Sequence, residues 1–448
     1  MFVPRSFDLK FRKVGLLMVK LEEINSERLH DKYYRVKHKS GLKVYIYPKE
    51  GYNSSYAILG AKVGSIDTTF KIPGKAENIV VPDGIAHYLE HKLFESEEGD
   101  AFAEYAKTGA SANAYTSFDM TGYLFSCTED FDKSLKILID FVQSPYFTEK
   151  TVKKEQGIIG QEIKMYEDDP SWQVMFNLLK AMYHNHPVKK DIAGTVESIA
   201  KINADNLYEV YNNFYNLNNM TLCIAGKVNP VEILNILDEK LKPSYNMVPE
   251  TIFAKEPYEI VKQRVEQRFP ISMPLFQLGF KENASKGRMT IEESTQTDII
   301  LSVLASKSSK LYNDLINKGL INDSFGYECF EGPGYLASIF SGESRDPDKV
   351  AEIIKERVTE LHAKGIVEED FERAKKSIYG KSVSLLNSAE NIANVMLTLD
   401  FADKELFEAV ECIANTSLID VNERLKSQLD VSNCSLSVVA PEDGSLNI

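Results

Sequence analysis

No run in this sequence approaches the eighteen or so consecutive apolar residues that a membrane-spanning helix needs, so no membrane partner is expected. Basic residues are in short supply: 52 Lys and Arg stand against 66 Asp and Glu, a formal net charge of −14. A nucleic-acid binder needs the opposite balance, and that class is set aside. Cysteine is sparse and scattered. Cys127, Cys223, Cys329, Cys412 and Cys434 are odd in number and form no C-x-x-C spacing, which predicts reduced thiols in a cytoplasmic protein. A signal-peptide core is missing too. Residues 1–17 hold basic side chains and only the short apolar run Val14-Gly15-Leu16-Leu17, so they read as a disordered extension before a natural start at Met18. Neither a G-x-S-x-G elbow nor a Walker A glycine loop occurs, so nothing points to a hydrolase of either of those kinds.

Histidine is also scarce, seven in all, yet two lie four residues apart in Asp83-Gly84-Ile85-Ala86-His87-Tyr88-Leu89-Glu90-His91-Lys92-Leu93-Phe94. Pro82-Asp83-Gly84 breaks the preceding run, Asp83 can cap a helix start, and no glycine or proline follows until Gly99. On a helix, positions i and i+4 share a face, so His87 and His91 can grip one zinc ion. Glu90 lies on the same side, placed to act on a water without being a ligand. The order H-x-x-E-H inverts the H-E-x-x-H zinc peptidase signature. Five residues alone can arise by chance on a charged helix face, so the reading turns on a third ligand downstream. The predicted helix from Lys153 to Tyr166 offers Glu155 and Glu162, two turns apart on one face. Ile158, Ile159, Ile163 and Met165 mark this helix as partly buried, a setting in which a carboxylate wants a cation or a proton.

With these residues the sequence resembles the pitrilysin/insulinase family of zinc metallopeptidases, which includes insulin-degrading enzyme and the mitochondrial processing peptidase. It looks most like a bacterial processing-peptidase-like subunit. The resemblance implies Zn2+ as cofactor, His87, His91 and Glu162 as its ligands, Glu90 as catalytic base and Glu155 as a supporting acid. It also implies that the segment around Ala112, Asn113 and Ala114 is an edge strand pairing with the backbone of a peptide substrate, a mode with little dependence on side chains.

The remaining pattern predicts an α+β fold of two homologous domains, each an antiparallel sheet with helices on one face. The catalytic domain is expected over 18–241, a proline-marked linker over 242–257, and a second domain over 258–448. Gly122-Tyr123-Leu124 recurs as Gly334-Tyr335-Leu336, Gly157-Ile158-Ile159-Gly160 is echoed by Ser377-Ile378-Tyr379-Gly380, and the strand after Asn219 by the one after Asn433. The second copy keeps no metal motif, and its one histidine, His362, is expected to be solvated on a charged helix. His184 and His186 read as loop.

Family members form clamshells from two such chains or fused halves, and active ones carry an Arg and a Tyr in the second half. In the corresponding run here, Ile316 and Asn322 stand in their places. The resemblance therefore implies a partner: a homologous subunit lacking the zinc motif, as a heterodimer, or a second copy as a homodimer. The expected function is a zinc endopeptidase subunit acting on short unfolded peptides. Two rivals are an inactive scaffold of the same fold and a peptide-binding module with structural zinc. Structural zinc sites are usually closed by four Cys or His ligands, and no cysteine lies near this motif.

Overall fold

The computed structural model describes residues 21–97, 99–244, 247–284 and 287–442. The extension expected over 1–17 lies outside them. The described residues form two compact units. One takes the residues up to Gly160, Ile192–Ile252 and Ser384–Phe407; the other takes Gln161–Asp191, Phe253–Val383 and the residues from Glu408 onward. Neither matches the contiguous stretches 18–241 and 258–448 of the sequence reading. Each half of the chain gives a helical segment to the unit built on the other half.

The first unit is organised on a seven-stranded sheet. Its order is Glu22–Ser26, Asp31–Lys37, Lys43–Pro48, Met220–Gly226, Ser55–Ala61, Thr121–Cys127 and Ser111–Thr116. All neighbours are antiparallel except Lys43–Pro48 with Met220–Gly226, which are parallel. Ser55–Ala61 is buried along its whole length, as a strand covered on both faces must be. Ala57 pairs with Phe125 and Leu59 with Tyr123 on one face, where Phe94, Tyr105, Phe131 and Phe141 pack against the two aromatics. The opposite face carries Tyr45, Tyr56, Ile58 and Cys223.

That opposite face is covered by the helix Ala389–Phe401, drawn from the second half of the chain, through Ile392, Ala393, Met396 and Leu397. One-faced packing thus describes only the helices that each half keeps. The covering helix presses so closely on the central strand that a Cβ at Gly60 would sit 2.6 Å from Leu397 Cδ1. Its last turn is anchored by buried Asp400, which accepts from Lys43 Nζ at 2.6 Å, Tyr45 OH at 2.8 Å and Thr221 Oγ1 at 2.6 Å.

In the second unit a five-stranded sheet runs Arg264–Phe269, Cys434–Pro441, Leu275–Lys281, Tyr335–Glu343 and Gly326–Gly332. Again one pair is parallel, Arg264–Phe269 with Cys434–Pro441. This order repeats the last five strands of the first sheet. Phe276, Leu278 and Phe280 face the core built with Ile299, Ile300 and Val303. The helix Pro170–Met182, from the first half of the chain, takes the other face, where a Cβ at Gly279 would meet Met182 Sδ at 2.7 Å. Asp169 caps that helix by accepting from the backbone N–H groups of Ser171 and Trp172.

The segment 242–257, read as a linker, is not wholly irregular. Glu250–Thr251 pairs with Thr69–Lys71 in a small ribbon of the first unit, and the chain passes to the second unit after Ile252. No helix among the described residues is long and apolar enough to cross a membrane.

Candidate metal centre

The H-x-x-E-H stretch folds as the helix Ile85–Leu93. Its N-cap is Gly84 rather than the expected Asp83. Gly84 lies in the left-handed region at φ 88°, and no side chain caps the helix. The reason is a close backbone approach. A Cβ at Gly84 would fall 2.4 Å from the Ala193 carbonyl oxygen, and one at Gly194 would fall 2.6 Å from that of Asp83. Ser198 Oγ then donates to the Asp83 carbonyl at 2.8 Å. Only glycine tolerates both that backbone angle and that contact. Tyr88, fully buried, donates its hydroxyl to the Val152 carbonyl and ties the motif helix to the long helix Glu149–Glu167.

These two helices bring the expected ligands together. His87, His91 and Glu162 each offer an atom, and the three atoms lie within 4.8 Å of one another. His87 is 7 % exposed, and the two imidazole rings meet edge to face with centroids 4.6 Å apart. Two imidazoles and one carboxylate are the donor set of a catalytic zinc site, which keeps a coordination position open. By donor chemistry and by spacing, the trio fits the ion.

Glu155 sits beside His91, whose Nδ1 lies 3.1 Å from Glu155 Oε1. A carboxylate can only accept, so the proton belongs on Nδ1 and the Nε2 lone pair is left to face a metal. The hydrogen bond from His91 holds the Glu155 carboxyl below its ordinary range, against the upward push of partial burial. Glu90 accepts from Thr116 Oγ1 at 3.1 Å. Thr116 ends the edge strand Ser111–Thr116, so the carboxylate read as a base is held by the segment read as a substrate platform.

Glu90, His91 and Glu155 open onto a cleft of about 690 Å³, with Asn113 and Ala114 in its wall and Phe94 and Phe102 along one side. The two phenyl rings are stacked, centroids 4.4 Å apart. Ala112 is on the same strand but does not line the cleft.

Sequence reasoning missed two residues here. Thr116 gave no local signal, because only the packing of the edge strand against the motif helix brings it to Glu90. Tyr166, which donates to Glu162 Oε1 at 2.6 Å, stands four residues after that glutamate, a spacing that could have flagged it. The burial expected around Glu162 is half right: Ile159 and Ile163 are buried, whereas Ile158 and Met165 are 50 % and 61 % exposed. In the second half, Ile316 packs against the core of its own unit, and Asn322 donates to Glu343 and accepts from the Ser324 N–H. His186 is buried, with Nε2 2.8 Å from the Pro333 carbonyl oxygen and Nδ1 accepting from the Val188 N–H. His362 is bonded to the Gln428 carbonyl.

Comparison with known proteins bears on this arrangement. A profile of the insulinase family (peptidase family M16) matches residues 75–196, and one of the peptidase M16 inactive domain matches 201–378. A Bacillus subtilis protein named an uncharacterized zinc protease, YmfH, is 40% identical over 430 residues, 94% of this chain and 100% of that protein. This chain belongs to the M16 peptidase family. A crystal structure of a protein described as an M16-like peptidase from Alicyclobacillus acidocaldarius superposes on this M16 chain with a TM-score of 0.87. It is 34% identical and covers 95% of this chain and 100% of its own. The beta subunit of the mitochondrial-processing peptidase of Caenorhabditis elegans is 24% identical over 78% of this M16 chain and 80% of its own.

Proposed function

We propose that this M16 chain is a zinc-dependent endopeptidase subunit that cleaves short, unfolded peptides. The observation that carries the reading is the convergence of His87, His91 and Glu162 within 4.8 Å, beside a cleft that also holds Glu90 and the edge-strand residues Asn113 and Ala114. His87, His91 and Glu162 would hold the ion. Bound there, zinc supplies a Lewis acid next to the scissile carbonyl. An extended peptide adds to the edge strand through its backbone, which positions one peptide bond over the motif helix. Glu90, held by Thr116, takes a proton from the attacking water and returns it to the leaving amine. Glu155 keeps the His91 ring oriented and its Nδ1 protonated.

By the resemblance, the positions of the family's Arg and Tyr are held by half-buried Ile316, which packs against the core of its unit, and by Asn322, bonded to Glu343 and Ser324. This favours a chain that draws those groups from a homologous partner lacking the zinc motif. It also leaves a second reading of the same fold, a subunit that binds peptides or serves as scaffold without cleaving them. Metal analysis and cleavage of a quenched peptide library separate the two. One zinc per chain, with cleavage by the chain alone or with its partner, supports the peptidase. Absence of zinc and of cleavage in both samples moves the assignment to the second reading.

A further inference from the structure

Glu162 is the only carboxylate in the candidate ligand trio, and a glutamate has three rotatable bonds to order before it can ligate. We propose that Tyr166 is a positioning residue for Glu162, buttressed by Trp172. This rests on the metal-site reading above.

One turn along the same helix, the Tyr166 hydroxyl donates to Glu162 Oε1 at 2.6 Å, the length of a charge-assisted O–H···O⁻ bond. The Tyr166 ring lies flat on the indole of Trp172, centroids 4.5 Å apart and planes 14° from parallel. Trp172 is itself held at three points. Its backbone N–H joins the Asp169 cap, its indole N–H donates to Asp191, and its ring packs on Phe176 at 5.2 Å. A line of support therefore runs from Asp191 through Trp172 and Tyr166 to the ligand. Aromatic side chains have only two rotatable bonds, so this line holds the carboxylate with little entropy left to lose. Removing an outer partner of a metal ligand typically lowers metal affinity about 10–100-fold.

Trp172 is the only tryptophan in the chain, so intrinsic fluorescence watches this arm without a label. The experiment is chelator-competition measurement of zinc affinity on the full chain, for wild type and Tyr166→Phe. The variant keeps the stacked ring and loses the hydroxyl. The expected result is one zinc per chain in both, with affinity about 10–100-fold lower in the variant, an unchanged melting temperature, and a zinc-dependent change in tryptophan emission that is diminished in the variant.

A double-mutant cycle separates positioning from general damage. On a Glu162→Ala background, Tyr166→Phe should leave the residual zinc affinity unchanged. Equal affinity in wild type and Tyr166→Phe overturns the proposal while leaving the metal site intact, and so does an additive loss on the Glu162→Ala background. Wild-type chain that takes up no zinc overturns both the proposal and the reading beneath it.

Discussion

His91 Nδ1 and Glu155 Oε1 lie 3.1 Å apart, joining the two helices that carry the candidate metal ligands. The contact sets the imidazole tautomer and ring orientation, and on the proposed reading Glu155 is a support rather than a ligand. Glu155→Gln keeps the shape and removes the charge, so zinc affinity should fall about 10–100-fold while the fold is retained. Chelator competition with a circular dichroism control checks this; unchanged affinity means that the pair only joins the helices.

Glu90 and the ligands should separate cleanly. Glu90→Gln is expected to keep stoichiometric zinc and to lose about 10²–10⁴-fold or more in cleavage rate, the range of a general acid–base group. His91→Ala is expected to lose the metal itself. Metal content and turnover measured on the same samples check both. A Glu90→Gln protein that cleaves at the wild-type rate would remove Glu90 from the reaction.

Gly84→Ala should destabilise the first unit by about 2 kcal/mol or more, because φ 88° strains any side chain and the Ala193 carbonyl leaves no room for one. Denaturant midpoints give the value, and a loss below 0.5 kcal/mol by that measure would show that the loop yields at little cost (about the noise of surface substitutions).

Asp400 accepts from three donors under the covering helix. Asp400→Ala leaves Tyr45 and Thr221 without that acceptor and should cost about 1–3 kcal/mol for each donor left buried. Hydrogen exchange should show faster opening of Ala389–Phe401 specifically; a uniform change across the chain would contradict its role as a local anchor.

His186 introduces a pH dependence in the second unit. Burial pushes its pKa down from 6.5 to about 4, and in its neutral form one ring nitrogen donates to the Pro333 carbonyl while the other accepts from Val188. Above about pH 6.5 both folded and unfolded states hold it neutral, and it contributes no pH slope. As pH falls from there to about 4 the unfolded chain takes up a proton that the folded chain refuses. Stability is then lost, by up to about 3 kcal/mol. Urea melts of wild type and His186→Gln between pH 7 and 4 should show a shallower loss in the variant; parallel curves would place the slope elsewhere.

Much of this was legible in residue order because it is local. Helical spacing puts His87, Glu90 and His91 on adjoining faces of one helix and Glu155 and Glu162 on one face of another, whatever surrounds them. The recurrence of Gly-Tyr-Leu and of the strands after Asn219 and Asn433 announced two related sheets, and their strand orders agree. These features depend on backbone periodicity and on neighbours a few residues away.

Tertiary structure decided the rest. That Glu162 meets two histidines from another helix, and that Thr116 reaches Glu90, follows from pairing and packing between segments distant in the chain. So does the exchange of covering helices. A sheet buried on both faces needs a second apolar layer, and Ala389–Phe401 and Pro170–Met182 supply it to the sheet of the other half, each seated over a strand glycine, Gly60 or Gly279. Sequence periodicity marks which face of a helix is apolar, but not which sheet it will cover. That choice belongs to shape: a leucine or a methionine fits where a glycine leaves space, and only the folded chain brings the two together.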